Sequence, residues 1–309
     1  MLSRRRMASG FGAAAVGSLL GAPVAFAHDP SSHDTRLWVT PAVNAPGLEQ
    51  IVFASAAARG DVSFHVLSPP SLNSEPARRF PTLYWLHGTA SAITSIRPMA
   101  ALFTNAMRAG HMPQAFVVLP NGLRDSLWCN SHDGSMPVET ILMREIIPLV
   151  DSRFRTIDHR SHRMIEGFSM GGFGAGRLGF RYPETFAAIS MLGAGPLQAE
   201  FTRGSVAPNN RELQAHVFAN VFGADQDYFR IESPRGLAAA NAACLRTGSR
   251  IRVAVGDNDF SLAANRDFST FLTTLAVPHD FIIVPRVGHS AMGLFEALGF
   301  GFHRSVLSA

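Results

Sequence analysis

Short, nearly continuous apolar runs alternate with longer stretches of helical periodicity from residue 81 onward, and this pattern limits the folds open to the chain. The runs are spelled TLYWL, AFVVLP, RMIEGF, AAISML, IRVAV and FIIVP. A strand with one face in water alternates apolar and polar residues, whereas a strand covered on both faces is apolar throughout. The sequence therefore predicts an α/β fold whose central sheet is mostly parallel and has helices on both faces.

The part of the chain before this pattern predicts a different strand arrangement. The β-rich runs EQIVFAS and DVSFHVLS flank a turn at Gly60 and Asp61, which indicates an antiparallel opening to the sheet. The clearest helix is predicted in VETILMREIIPLVDSRF, from Val138, where apolar residues recur at helical spacing. No internal repeat divides the chain, so we expect a single domain over residues 28–309.

The first 27 residues have the three parts of a secretory signal peptide. Arg4, Arg5 and Arg6 precede a stretch rich in Gly, Ala and Leu, which ends in Ala-Phe-Ala before His28. The segment SRRRM also resembles a twin-arginine signal, which exports folded proteins. We expect cleavage after residue 27 and export to the periplasm or the medium. No stable membrane insertion is expected afterwards, because no later apolar run reaches the roughly 20 residues of a spanning helix.

Composition excludes several classes of function. All 27 basic residues are arginine, so the chain has no lysine. A Schiff-base lysine, a pyridoxal site and a Walker-type phosphate loop each need a lysine amine and are excluded. The net charge of +4 falls to about +1 once the three arginines of the signal are removed, which indicates no nucleic-acid partner. No motif indicates a cofactor or a metal.

Two cysteines, Cys129 and Cys244, would meet an oxidising environment after export. They could form a disulfide or remain two separate thiols. Both alternatives stay open at this point, because a disulfide depends on a distance that the sequence does not contain.

A serine between glycines marks the candidate nucleophile. In GFSMGG, Gly167 and Gly171 flank Ser169 at the GxSxG spacing, between the apolar run RMIEGF and a helix of small residues. A serine hydroxyl must project freely and contact a base before it can attack a carbonyl. Glycines let the chain fold back sharply from strand to helix without collision of Cβ atoms, and Gly172 permits close packing of the helix. The motif therefore predicts Ser169 as the nucleophile.

The base and the acid are expected further along the chain, each just after a predicted strand. Asp259 follows IRVAV in GDND, and His289 follows FIIVP in RVGHS. Because the functional loops of a parallel sheet collect at the carboxyl ends of its strands, we expect both near Ser169. His289 would accept the serine proton, and Asp259 would orient and stabilise the imidazole. Asp257, in the same loop, stays an alternative acid.

Attack by serine on a carbonyl also creates an oxyanion, which needs two fixed N–H donors. One donor is expected to be the backbone amide of Met170, directly after the nucleophile. The other is expected in LHGTAS, where Gly88 lets the amide of Thr89 point at the substrate.

Together these motifs resemble the putative-esterase branch of the α/β-hydrolase family, which includes esterase D-like formylglutathione hydrolases, feruloyl esterases and antigen 85 mycolyltransferases. The resemblance covers residues 46–303 and rests on FPTLYWLHG, VETILMREIIPLVDSRFRT, GFSMGGFGAGRLGFRYPETFAAIS, GDND and VGHS. It implies the α/β-hydrolase fold, a nucleophile at Ser169 and a histidine at His289. It also implies that the Gly-x-x-Asp acid motif of the family falls on Gly256 and Asp259.

The chain departs from that family beside the site. Many relatives have an aromatic residue soon after the catalytic histidine, whereas Ser290, Ala291 and Met292 stand here, so this wall of the pocket is left undefined. Trp128 and Asp133 match a loop that often approaches the site in relatives. A packing tryptophan and a turn aspartate are the alternative interpretations.

The predicted function is that of an exported serine esterase that cleaves a carboxylic ester through an acyl-enzyme. An acyltransferase that passes the acyl group to an alcohol or sugar would use the same three side chains and is the alternative. A non-catalytic binding protein on this fold would be expected to lack one of them. We expect a small-molecule or carbohydrate-linked ester as substrate, whose acyl and alcohol parts the motifs do not specify.

Overall fold

A computed structural model describes residues 37–202 and 210–308, and the predicted signal at residues 1–27 lies outside the described residues. The strands are β1 (Leu48–Ser55), β2 (Gly60–Leu67), β3 (Thr82–Leu86), β4 (Phe116–Pro120), β5 (Arg163–Phe168), β6 (Ala188–Leu192), β7 (Arg250–Gly256) and β8 (Asp280–Val284). The helices are α1 (Ile96–Arg108), α2 (Val138–Thr140), α3 (Ile147–Arg153), α4 (Met170–Arg181), α5 (Arg211–Phe222), α6 (Gln226–Glu232), α7 (Pro234–Ala240), α8 (Ala242–Gly248), α9 (Leu262–Thr274), α10 (Ala291–Leu298) and α11 (Gly301–Leu307). A π-helical turn at Ile141–Ile146 joins α2 to α3, and a 3-10 turn spans Arg160–His162. None of the helices in these two ranges is long and apolar enough to cross a membrane.

The strands form one sheet in the order β1-β2-β4-β3-β5-β6-β7-β8. β1 pairs with β2, and β2 with β4, in antiparallel fashion, and all pairs from β4 to β8 are parallel. Each apolar run noted in the sequence forms a strand at the predicted place. The prediction of a mostly parallel sheet with an antiparallel opening is therefore confirmed.

The run TLYWL of β3 shows why these strands lack alternation. All five of its residues are buried. Leu83 and Trp85 belong to a core cluster on one face of the sheet, where the Trp85 ring packs edge-on against Phe103 of α1 at 5.9 Å between centroids. Tyr84 and Leu86 belong to the second cluster, which α4 covers on the other face. Because both faces are covered, no position on the strand favours a polar side chain.

The turn between β1 and β2 lies just before the predicted turn residues, Gly60 and Asp61, which both belong to β2. It occupies residues 56–59, and Gly60 is the first residue of β2. The left-handed position is Arg59, with φ of 55°. The carboxylate of Glu145 holds this turn, since it accepts hydrogen bonds from the Ala57 N–H at 2.9 Å and from the Ser55 hydroxyl at 2.5 Å. Because Glu145 is far from the turn in the chain, the residues around the turn do not predict this contact.

The helix predicted from Val138 forms over the expected residues, but its middle is π-helical. The Ile147 N–H donates to the carbonyl of Leu142, five residues earlier. Pro148 follows directly. In an uninterrupted α-helix the proline ring would clash with the carbonyl of Arg144 and would offer it no N–H, so the widened turn precedes the proline.

Helix α4 lies close against the sheet because its inward side is made of glycine. A Cβ on Gly176 would be 2.5 Å from the Met191 side chain of β6, and a Cβ on Gly179 would be 2.5 Å from Ile189. The amino end of α4 lies one residue after the carboxyl end of β5. It is therefore at the edge of the sheet where the loops of the parallel strands collect.

A buried charge cluster attaches α4 to its neighbours on the outer side. Arg177 is fully buried and forms ion pairs with Glu139 of α2 and Glu232 of α6. Arg181 contacts the same two carboxylates at 3.2 and 2.8 Å, and the Tyr182 hydroxyl donates to Glu139 at 2.5 Å. Since a buried charge without its partner is strongly unfavourable, these residues depend on one another.

Candidate active site

Ser169 occupies the sharp turn from β5 into α4. Its backbone has φ of 58° and ψ of −118°, a conformation that non-glycine residues rarely adopt. A Cβ on Gly167 would be 2.3 Å from the Gly171 carbonyl oxygen, and a Cβ on Gly171 would be 1.9 Å from the carbonyl oxygen of Leu86. A Cβ on Gly172 would likewise lie 2.8 Å from the Cβ of Ala194. The glycines of the motif are therefore required because backbone segments touch at this turn.

The three side chains predicted as nucleophile, base and acid meet at the carboxyl edge of the sheet. The Nε2 atom of His289 lies 2.9 Å from Oγ of Ser169, and its Nδ1 atom lies 2.8 Å from Oδ2 of Asp259. Asp259 follows β7 and His289 follows β8, as expected from the strand ends. The alternative acid, Asp257, is exposed, and its N–H donates to the carbonyl of Val284. Of the two aspartates, Asp259 is therefore the one that contacts the imidazole, and its role as the acid stays a prediction.

Asp259 is held on its second oxygen as well. Its Oδ1 accepts hydrogen bonds from the backbone N–H and the hydroxyl of Ser261, both at 2.8 Å. Asn265, fully buried on α9, donates through Nδ2 to the Ser261 hydroxyl at 3.1 Å and to the carbonyl of Ala194 at 2.8 Å. Burial by itself would raise the pKa of Asp259, but the hydrogen bonds with His289 and Ser261 lower it below the ordinary value. The carboxylate is therefore charged and fixed in orientation.

The two predicted oxyanion donors line the same cleft as Ser169. Met170 is the first residue of α4, so its N–H has no partner inside the helix. Thr89 comes from the loop after β3, which passes close to the serine turn, since a Cβ on Gly88 would lie 3.3 Å from the carbonyl oxygen of Phe168. Both residues line the cleft together with Ser169, and the role of their amides in binding an oxyanion remains a prediction.

His87 supports this loop from inside the fold. Its Nδ1–H donates to the Gly88 carbonyl at 2.8 Å, and its Nε2 accepts from the Gly122 N–H at 3.0 Å. Burial lowers the pKa of His87 to about 4, so the ring is neutral, as these two bonds require. Trp128, fully buried, donates from Nε1 to the His87 carbonyl at 3.2 Å. Trp128 is thus a packing residue behind the loop. It does not line the cleft.

Asp133, the other residue of that loop, also lies outside the cleft. Its Oδ1 accepts hydrogen bonds from the Ser131 hydroxyl at 2.6 Å and from the Ser135 N–H at 2.9 Å. It therefore has the turn role that the sequence left open.

Aromatic rings flank the imidazole, although the residues directly after His289 are not aromatic. Phe168 lies 4.6 Å from the His289 ring and Phe260 lies 4.4 Å from it, measured between centroids. Phe260 follows Asp259 in the turn after β7. One of the two rings beside the imidazole thus comes from the loop after β7, and neither comes from the residues directly after His289. The cleft is lined by Thr89, Ser169, Met170, Gly193, Ala194, Gly195, Pro196, Leu197, Gln198, Phe260, Ser261, Ala264 and His289.

Sequence reasoning missed Phe260, Ser261, Asn265 and His87. Phe260, Ser261 and Asn265 lie outside the quoted motifs, and His87 stands inside FPTLYWLHG without a role having been predicted for it. One available signal was position, since Phe260 and Ser261 directly follow the acid and Asn265 lies one helical turn beyond Ser261. Such spacing places Ser261 and Asn265 on the same side of a helix start, but it does not show that the side faces the acid.

The two cysteines do not form a disulfide. Cys129 is buried, Cys244 is exposed on α8, and both are free. Burial raises the pKa of Cys129 to about 12, so its thiol is protonated and unreactive at neutral pH. Within residues 37–202 and 210–308, no three His, Cys, Asp or Glu side chains are grouped closely enough to hold a metal ion.

Comparison with known proteins agrees with these features. The family model described as putative esterase matches residues 55–276. Esterase Rv1288 of Mycobacterium tuberculosis is 30% identical over 177 residues, which cover 56% of this chain and 36% of the relative. An acetyl esterase of Caldicellulosiruptor saccharolyticus is 28% identical over 194 residues, 62% of this chain and 70% of the relative. The chain thus spans about a third of the length of the mycobacterial relative.

Solved structures with the same fold include a ferulic acid esterase, with a TM-score of 0.66 and 22% identity over 84% of this chain and 96% of that one. An S-formylglutathione hydrolase from Staphylococcus aureus has a TM-score of 0.65 and 21% identity over the same shares of the two chains. These likenesses confirm the predicted α/β-hydrolase fold. Because the family model matches more than half of the chain and includes the serine turn, this protein belongs to the putative esterase family.

Proposed function

We propose that this protein is an exported serine esterase that hydrolyses carboxylic esters through an acyl-enzyme intermediate. The observation that carries the proposal is the pair of hydrogen bonds that joins Ser169 to His289 at 2.9 Å and His289 to Asp259 at 2.8 Å. The exposed turn of Ser169 and membership of the putative esterase family support it. The reaction uses only groups of the chain and water, with no cofactor.

In the first half of the reaction, the Ser169 hydroxyl transfers its proton to Nε2 of His289 while Oγ attacks the carbonyl carbon of the ester. Asp259 accepts the Nδ1–H bond, which orients the ring and stabilises the imidazolium. The negative oxygen of the tetrahedral intermediate accepts hydrogen bonds from the amides of Thr89 and Met170. The imidazolium then donates its proton to the leaving alcohol oxygen as the ester C–O bond breaks, which leaves the acyl group on Oγ.

In the second half, water takes the place of the alcohol. His289 accepts a proton from the water at Nε2, and the water oxygen attacks the acyl carbon. When the second tetrahedral intermediate collapses, the bond to Ser169 Oγ breaks and the serine recovers its proton from the imidazolium. The carboxylic acid leaves, and the enzyme returns to its initial state.

The direct test is Ser169→Ala in the protein from residue 28 onward, assayed with p-nitrophenyl acetate. We expect kcat to fall by at least about 10⁴-fold, because the nucleophile is removed. Ser152→Ala is a matched control, since Ser152 is exposed and, among the described residues, its hydroxyl donates to the carbonyl of Leu149 and to no other group. Activity retained in a folded Ser169→Ala variant would refute the proposal. A fluorophosphonate probe should label the wild type and fail to label this variant.

Product analysis tests whether water or an added alcohol accepts the acyl group from the enzyme. With an alcohol or a sugar added to the assay, we expect free acid as the main product, whereas a new ester as the main product would establish acyl transfer. Small acetate esters and acetylated or feruloylated sugars form the first substrate panel, since relatives are named acetyl esterase and ferulic acid esterase.

Export is tested by the amino-terminal sequence of protein recovered from the periplasm or the medium, which we expect to begin at His28.

A further inference from the structure

One large apolar side chain at the cleft is exposed to water. Phe260 is 51% exposed, although its neighbours Asp259 and Ser261 are buried. Exposure of an aromatic ring is unfavourable, and an exposed apolar group inside a binding cleft commonly marks a contact with a ligand. Phe260 lines the cleft that contains Ser169.

The ring of Phe260 also contacts the imidazole, which relates it to one half of the substrate. Its centroid lies 4.4 Å from that of His289, with 42° between the ring planes. Phe168 contacts His289 as well, but it is not among the cleft residues. During acylation, Nε2 of His289 delivers a proton to the alcohol oxygen, so the alcohol part of the ester must lie beside the imidazole. A group on that oxygen therefore comes next to Phe260.

The rest of the cleft favours an uncharged group. Pro196, Leu197 and Ala264 add apolar surface, and the described lining contains no Arg, Asp or Glu side chain. A charged alcohol would consequently lose its hydration without gaining an ion pair. An aromatic ring on the alcohol could pack against the exposed part of Phe260 in the offset or edge-to-face arrangement that aromatic pairs prefer, and such a pair gains free energy beyond the area that it buries.

We propose that Phe260 determines specificity for the alcohol part of the ester, and that the preferred alcohol carries an uncharged planar ring, as in a phenol. This inference rests on the proposed esterase function and adds the chemical class of the leaving group. Phe260 binds the ring of the alcohol before and during acylation, and it does not contact the acyl group.

The test compares phenyl acetate with ethyl acetate in the wild type and in Phe260→Ala. The kcat/KM value reports the steps up to loss of the alcohol. For each ester, dividing the kcat/KM of the variant by that of the wild type removes the difference in intrinsic reactivity between the two esters. We expect Phe260→Ala to lower kcat/KM about five- to tenfold more for the phenyl ester than for the ethyl ester. Phe260→Tyr, which keeps the ring, should restore the wild-type ratio between the two esters to within about twofold. Ile231→Ala is the matched control, because Ile231 is 62% exposed and lies on α6, away from the cleft.

Other results would overturn the inference. An equal loss for both esters would mean that Phe260 acts only on His289. A selective loss for ethyl benzoate relative to ethyl acetate would assign the ring to the acyl part. Phe260→Leu, which keeps an apolar side chain without a planar face, gives the same comparison if Phe260→Ala is poorly folded. If folded wild type hydrolysed none of the esters, the proposed function itself would fail, which is distinguishable from an active enzyme with an unchanged ratio.

Discussion

Replacement of Asp259 by asparagine tests the geometry of the site most sharply. In the wild type, Oδ2 accepts the Nδ1–H of His289, and Oδ1 accepts two donors from Ser261, all at 2.8 Å. Asparagine has one oxygen and one NH₂ group for these two positions. If the oxygen faces His289, the NH₂ meets the backbone N–H of Ser261, which cannot move away. The favoured orientation therefore turns the NH₂ toward His289.

This orientation leaves the imidazole in the wrong tautomer. The Nδ1 atom of His289 must accept from the amide of Asn, so the ring proton moves to Nε2, the atom that has to receive the proton of Ser169. Restoring the working tautomer sacrifices two hydrogen bonds, the bond to the amide and the charge-assisted bond that stabilised the imidazolium. At about 1.5–3 kcal/mol each, they amount to about 3–6 kcal/mol, or roughly 10²- to 10⁴-fold in kcat.

The measurement is kcat for p-nitrophenyl acetate in Asp259→Asn and in the control Asp257→Asn. Asp257 is exposed and makes no contact with the imidazole among the described hydrogen bonds, so we expect its variant to stay within about twofold of the wild type. If Asp259→Asn kept more than about a tenth of the activity with unchanged circular dichroism, the tautomer argument would be wrong. A large loss in the control variant instead would transfer the acid role to Asp257.

Three further predictions concern stability. Since burial lowers the pKa of His87 to about 4 and the unfolded histidine titrates near 6.5, the unfolded state binds the proton first as the pH falls. The free energy of unfolding in urea should therefore decrease between about pH 6.5 and 4, by up to about 3 kcal/mol from this residue, and a flat profile would contradict its neutral state. Gly171→Ala should lower the free energy of unfolding, measured by thermal unfolding, by about 3 kcal/mol or more, because its Cβ would lie 1.9 Å from a backbone oxygen. Gly60→Ala is the control and should change it by less than about 1 kcal/mol, because no atom lies within 4 Å of the added Cβ. Arg177→Met should cost about 3 kcal/mol, the lower end of the range for a broken buried ion pair, because Glu139 and Glu232 keep only the partly buried Arg181 as a cationic partner. The exposed pair of Arg153 predicts less than about 1 kcal/mol for Arg153→Ala, and similar losses in both variants would refute the role of burial.

Several features of the site were predictable because they depend on neighbours in the chain. The serine turn follows from the collision of Cβ atoms at Gly167 and Gly171, which is a matter of a few consecutive residues. Strand ends were predictable from apolar runs, and they placed Ser169 and His289 at one edge of the sheet. The π-helical turn before Pro148 was missed, although the proline itself was visible.

The features that were missed depend on the direction of single side chains. Asp257 and Asp259 occupy one loop, and only the path of the backbone after β7 turns one carboxylate inward and leaves the other exposed. Phe260 was missed for the same reason, since an aromatic residue after a loop aspartate has no characteristic pattern. Ser261 and Asn265 gain their role only because α9 begins beneath the acid.

By itself, the sequence determined the α/β class, the antiparallel opening, the serine turn and the family, because periodicity and glycine sterics act over short distances along the chain. Only the tertiary structure decided which aspartate contacts the imidazole, which ring covers it, and that Cys129 is buried while Cys244 is exposed. Those outcomes depend on contacts between residues far apart in the chain, where a change of direction at one residue exchanges burial for exposure. Such contacts are set by how the helices pack on the sheet, and no local pattern contains that information.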